Sequence, residues 1–174
     1  MHSVELTLDE SADEAVRDAW DRLTRARLPS QGRHTGPSNR PHVTLALAAS
    51  MTPPARERLG AIAAELPLRC AVGALLVFGA RRFILSRLVV PDPALLDLQS
   101  RVVRALDEPV DPRGTFRAGG WTPHITLGRR FTADQVAAAL TTLGNVPSVD
   151  AAATRMRLWD MATHQESWPA RPPG

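Results

Sequence analysis

From Met1-His2-Ser3-Val4-Glu5-Leu6 the chain runs straight into alternation of polar and apolar residues, which predicts a strand over Ser3 to Leu8. The period then lengthens. Val16, Ala19, Trp20 and Leu23 recur at helical spacing within Ser11 to Arg27, with Ser11 and Glu14 placed for a capping box. A second helix opens at Thr52-Pro53-Pro54 and carries Leu59, Ile62, Ala63 and Leu66. A third opens at Asp92-Pro93, an N-cap followed by a first-turn proline, with Leu95, Leu98, Val102 and Leu106 on one face. A fourth starts at Thr132-Ala-Asp-Gln135 and continues through Val136, Ala139, Leu140 and Leu143. Further strands are predicted over Arg69 to Phe78, Arg82 to Val90 and Ala151 to Trp159.

This pattern repeats once. Arg40-Pro41-His42-Val43-Thr44-Leu45 returns 82 residues later as Thr122-Pro123-His124-Ile125-Thr126-Leu127. Each copy has a helix upstream and a helix start downstream. Each half therefore reads strand, helix, loop, P-H-x-T-L strand, helix, strand. The expectation is an α+β fold of two lobes related by a pseudo-two-fold axis, each an antiparallel sheet packed with helices, around a central cleft. One domain spans 1–174, with lobe one at about 1–80, lobe two at about 81–168 and a short Pro-rich tail at 169–174, frayed from about Ser167. Such an axis would bring the two P-H-x-T-L strands side by side. The loops Leu28 to Pro41 and Pro109 to Pro123, rich in Gly, Pro, Ser and Thr, would each sit beside a histidine strand.

Composition removes several chemistries. All 21 basic residues are arginine, against 18 acidic ones, for a net charge of +3. The pI of 10.7 follows from having neither Lys nor Tyr to titrate near pH 10, and does not signal a nucleic-acid-coating surface. Without lysine there is no Schiff base, no P-loop lysine and no covalent nucleotidyl-lysine intermediate. The lone Cys70, in the run Cys70-Ala-Val-Gly-Ala-Leu-Leu-Val-Phe78, reads as a buried strand thiol rather than a nucleophile. No signal-like start and no membrane-length apolar run is present, so a soluble cytoplasmic protein, monomeric and not membrane-bound, is the expectation.

Strand alternation puts His42 and Thr44 on one face and Val43 and Leu45 on the other, and divides His124 and Thr126 from Ile125 and Leu127 likewise. If the axis pairs the strands, two imidazoles and two hydroxyls converge. One neutral ring can deprotonate an attacking oxygen while a protonated one serves the leaving oxygen of a phosphodiester, with no metal required. The hydroxyls can donate to the non-bridging oxygens as charge grows there. A single His-x-Thr is a commonplace strand fragment; its recurrence at the same place in two matched halves is what points to a site. Two alternatives stand beside this reading. One is a non-catalytic RNA-end or nucleotide-binding module. The other is a metal hydrolase using His42, His124 and His34, for which no H-E-x-x-H or comparable carboxylate spacing exists.

The duplicated motif resembles the 2H phosphoesterase superfamily, and most closely the bacterial 2'-5' RNA ligase or RNA 2',3'-cyclic phosphodiesterase family, over nearly the whole chain. His42-Val43-Thr44 matches the first hallmark and His124-Ile125-Thr126 the second, with Leu127-Gly128-Arg129 similar to the family's H-[IL]-T-L-x-R ending. The resemblance implies metal-free, ATP-independent hydrolysis of a 2',3'-cyclic phosphate on RNA or a nucleotide to a 2'-phosphate, and reversible 2'-5' joining in some members. It implies no cofactor, and by analogy makes His124 the base and His42 the acid. The first motif continues Ala46-Leu47-Ala48 and lacks a counterpart of Arg129, which leaves the cationic part of the site asymmetric.

The residues around the motifs add candidates for substrate binding. Parity places Arg130 on the face of His124, whereas the resemblance favours Arg129; a bulge at Gly128 would reconcile the two. His34, Arg33 and Arg40 in the first loop, and Arg113 and Arg117 in the second, are within reach of a phosphate chain if they point inward. Trp121 and Phe83 are the candidates for stacking on a base, with core packing as their ordinary fate. His2 and His164 have no motif around them, and Trp159 and Trp168 read as terminal packing residues.

Overall fold

The computed structural model describes residues 1–117 and 119–169, so positions 170–174 of the Pro-rich tail lie outside the described residues. The elements are β1 (His2–Leu8), α1 (Glu10–Arg25), β2 (His42–Ala48), α2 (Pro53–Ala63), β3 (Leu68–Phe78), β4 (Phe83–Val89), α3 (Pro93–Ala105), β5 (His124–Phe131), α4 (Ala133–Leu143), β6 (Val149–Asp160) and β7 (Gln165–Ser167). The helix starts at Thr52, Asp92 and Thr132 are formed as the sequence predicts, including the Thr132/Gln135 capping box. The first helix differs. Its N-cap is Asp9, whose carboxylate accepts from Ala12 N and also from Ala152 N, so the helix begins before Ser11 and the Ser11/Glu14 box is not used.

The strands form one antiparallel sheet in the order β2-β1-β6-β3-β4-β5, with β7 paired to the outer part of β6. Exchanging the first half's three strands for the second half's maps this order onto itself reversed, so the pseudo-two-fold axis runs between β6 and β3. The lobes are not contiguous in sequence as the simple division at residue 80 supposes. Each half's third strand crosses over: β6 pairs with β1, and β3 pairs with β4. Central positions suit these strands, since each then has two neighbours while the motif strands are left at the edges.

Val4, Leu6, Val43, Leu45, Leu85, Ile125, Leu127 and Leu158 are buried together with the apolar stripes of the helices, among them Val16, Leu23, Leu59, Leu95 and Leu143. The opposite face carries the polar partners of the same alternation. The two motif strands are not hydrogen-bonded neighbours, as a direct pairing would require; β2 and β5 sit at opposite ends of the strand order and approach each other because the sheet curves. Their edges are covered by side chains instead. Trp121 Nε1 donates to Thr44 O (3.1 Å), Trp20 Nε1 donates to Thr126 O (3.1 Å), and Gln99 Nε2 donates to Leu45 O (3.1 Å). Beneath the second half, fully buried Arg87 donates to the carbonyls of Gly73, Val72 and Pro147 and ties β4 to β3 and to the chain before β6.

Among the described residues no helix is long and apolar enough to cross a membrane.

Candidate active site between the two histidine strands

A cavity of about 1250 Å³ opens where β2 and β5 approach, and His42, Thr44, His124 and Arg129 line it. The two imidazoles are held in the same way. His42 Nδ1 lies 2.8 Å from Arg40 O, and His124 Nδ1 lies 2.8 Å from Thr122 O, the carbonyl two residues upstream in each case. A carbonyl only accepts, so Nδ1 is the protonated nitrogen and donates, and Nε2 is left as the reactive nitrogen of each ring. The Arg40-Pro41 and Thr122-Pro123 dipeptides explain the shared geometry, because proline keeps the preceding residue extended and its carbonyl beside the imidazole.

The surroundings of the rings differ. Phe78, at the end of β3, lies tilted on His124 with centroids 4.7 Å apart. Burial pushes the His124 pKa below its ordinary value, and the charges of Arg129 and His42 push the same way, against the Thr122 carbonyl. His42 instead has the buried carboxylate of Glu5 nearby, with Oε1 3.8 Å from Nε2. Glu5 accepts from Ser3 Oγ (2.6 Å) and from Arg157 Nε (2.9 Å), and Arg157 also donates to Ser38 O and reaches Glu166. The two rings therefore sit in opposite local fields, a carboxylate beside one and a guanidinium beside the other.

The choice between Arg129 and Arg130 is decided by two bulges. In the β4–β5 ladder Ser86 faces Thr126 but Leu85 faces Gly128, so Leu127 is an extra residue; Phe83 faces Phe131 and Ile84 faces Arg129, so Arg130 is another, with φ of 68°. The first bulge moves Arg129 onto the cavity face beside Ile84, and Arg130 does not line the cavity. Gly128 sits where the Pro29 segment crosses β5: a Cβ there would lie 2.4 Å from Pro29 O. Arg129 Nη2 approaches Thr126 Oγ1 at 3.5 Å, and its partial enclosure lowers its pKa through lost hydration. Thr126 is 8% exposed and does not line the cavity, so the second motif presents Arg129 where the first presents the Thr44 hydroxyl.

His34, Arg40 and Arg113 line the cavity from the two loops, whereas Arg33 and Arg117 do not. Trp121 lines it and also packs against the core. Phe83 is not at the cavity; it packs on the core, and the aromatic ring at His124 is Phe78. Cys70 is half-buried in β3, away from the cavity, and burial pushes its thiol pKa up. Among the described residues no three His, Cys, Asp or Glu side chains are grouped to hold a metal ion, so His34, His42 and His124 do not form a ligand set. Sequence reading missed Glu5, Arg157, Trp159 and Glu166. Cross-strand pairing, which periodicity does not encode, is what brings Glu5 beside His42 with Arg157 bonded to it, and sets Trp159 and Glu166 farther along the same cavity.

No curated protein sequence matches the chain. Two solved structures share its fold over nearly their full length: Usb1 of Kluyveromyces marxianus, at 14% identity with a TM-score of 0.53 and 97% of each chain covered, and the same protein with uridine monophosphate, at 14% identity with a TM-score of 0.51, covering 97% of this chain and 98% of that one. The family model described as "2'-5' RNA ligase superfamily" matches residues 12–165, which hold both histidine motifs, both bulges and all four helices but the first two residues of α1. The chain belongs to the 2'-5' RNA ligase superfamily.

Proposed function

We propose that the protein is a metal-independent, ATP-independent phosphodiesterase that opens 2',3'-cyclic phosphate ends of RNA or nucleotides to 2'-phosphates. The observation that carries this reading is the matched pair of imidazoles, each with Nδ1 spent on a carbonyl and Nε2 free, at one cavity beside an arginine. His124, whose pKa is lowered, is neutral at neutral pH and accepts a proton from water as the water oxygen attacks phosphorus. The P–O3' bond breaks, and His42, whose Nε2 lies 3.8 Å from Glu5 Oε1, gives a proton to the departing 3'-oxygen. One water is added, and the products are a 2'-phosphate and a 3'-hydroxyl. Arg129 and the Thr44 hydroxyl donate to the non-bridging oxygens, which gain charge in the transition state.

With a 5'-hydroxyl in place of water the same steps join two RNA ends through a 2'-5' linkage, in keeping with the superfamily's description. The activity is tested by incubating the protein, with EDTA present, with a short RNA ending in a 2',3'-cyclic phosphate. Gain of one water and a phosphate on the 2'-oxygen is the expected result. An unchanged RNA that still binds would instead identify a non-catalytic RNA-end module.

A further inference from the structure

The cavity does not end at the histidines. It continues across the sheet to Trp159, Met161, His164 and Glu166, on β6, β7 and the turn between them. The ladder explains why: Glu5 faces both Thr44 and Arg157, and one step along, Ser3 faces both Leu47 and Trp159, while Trp159 faces Glu166. With strands about 4.8 Å apart and about 3.4 Å per residue, the Trp159 backbone lies about 12 Å from that of Thr44. That span exceeds the reach from a phosphate to the base of its own nucleotide, and suits the base of the neighbouring nucleotide on the 5' side of the cyclic end.

The indole is held in place. The Arg157 guanidinium lies 5.6 Å from its centroid and is itself fixed by Glu5, Ser38 O and Glu166. The His164 ring meets it edge-on at 6.0 Å, on a turn in which Asp160 accepts from Ala162 N and Thr163 N. Trp159 is only half-buried, and the rest of the ring lines the cavity. A rigid indole at the end of a continuous channel leading from a phosphate centre has the form of a platform for a nucleobase.

We propose that Trp159, edged by His164, is a stacking subsite for the base of the nucleotide adjoining the reacting cyclic end. This rests on the phosphodiesterase reading, and makes the preferred substrate an oligonucleotide rather than a mononucleotide. The probes are adenosine 2',3'-cyclic phosphate and the adenylyl dinucleotide ending in the same group. For the wild type the dinucleotide has the lower KM, by about 10-fold, the scale of one stacked base. Trp159→Leu, which keeps apolar bulk without a π face, removes that advantage, bringing the ratio of the two KM values to about 1. Trp159→Phe restores part of it.

A Leu variant that treats both substrates as the wild type does, or that loses equally on both, overturns the subsite. Calorimetric binding of the corresponding 2'-phosphate products separates this from failure of the phosphodiesterase reading. If neither substrate turns over, a dinucleotide preference that Trp159→Leu abolishes sustains the subsite alone; absence of that preference sinks it.

Discussion

The two histidine strands are alike in scaffold and unlike in charge. Each ring is fixed by the carbonyl two residues before it, and each motif threonine has its own carbonyl capped by an indole N–H, from Trp121 on one side and Trp20 on the other. The Glu5 carboxylate, however, stands beside His42, while the Arg129 guanidinium acts on His124. A duplicated frame sets two equivalent rings facing one cavity; the charges added to it separately give them unlike surroundings, on which the proposed division into acid and base rests. The same division shows in the hydroxyls, with Thr44 at the cavity and Thr126 buried.

The largest expected effect treats the halves as equal. His42→Ala and His124→Ala each lower kcat/KM on a cyclic-phosphate RNA by about 10²–10⁴-fold, the scale of one general acid or base, without shifting the urea midpoint. Retained turnover in either would leave a single-histidine site.

Next comes a feature that belongs to the first half only. Glu5→Ala strands the buried Arg157 charge and costs about 3–5 kcal/mol in urea denaturation. A neutral outcome would mean that Ser38 O and Glu166 suffice to hold that guanidinium.

The second half has its own test. Arg129→Gln lowers kcat/KM by about 10²-fold, and Arg130→Gln leaves it near wild type. The pH profile adds a sign. Because a lowered His124 pKa keeps the base neutral, the acid limb of kcat/KM falls below the ordinary histidine range. A positive neighbour opposes protonation, so removing Arg129 moves that limb to higher pH. Equal losses at 129 and 130, or a limb that moves down, would contradict the bulged register.

The smallest effect returns to the symmetry. Trp20→Phe and Trp121→Phe each remove one indole bond to a threonine carbonyl, and each costs about 1 kcal/mol in urea denaturation. Markedly unequal costs would show that the two edges are not sealed equivalently.

Much of this frame is legible in the sequence, because caps and apolar periods are local. Thr52, Asp92 and Thr132 announce helices that the structure forms, and the repeated P-H-x-T-L marks both motif strands. Features set by long-range pairing are not legible. The crossing of β3 and β6 between lobes depends on which edges meet, and periodicity is silent on that. The parity argument at Arg129 and Arg130 fails because one extra residue, Leu127, inverts a strand's faces; only Gly128 hinted at it, through the need for room against Pro29. Ser11 lost the N-cap to Asp9, whose carboxylate serves both Ala12 N and Ala152 N. The three-residue β7 is too short to show alternation, so Glu166 and the cavity-lining ring of Trp159 went unread.

The division of labour between the rings is tested most directly with a substrate whose leaving 3'-oxygen is replaced by sulfur, since a thiolate departs without needing a proton. On this substrate His42→Ala is predicted to regain nearly wild-type turnover, while His124→Ala stays inactive. Rescue of His124→Ala in place of His42→Ala would contradict the assignment.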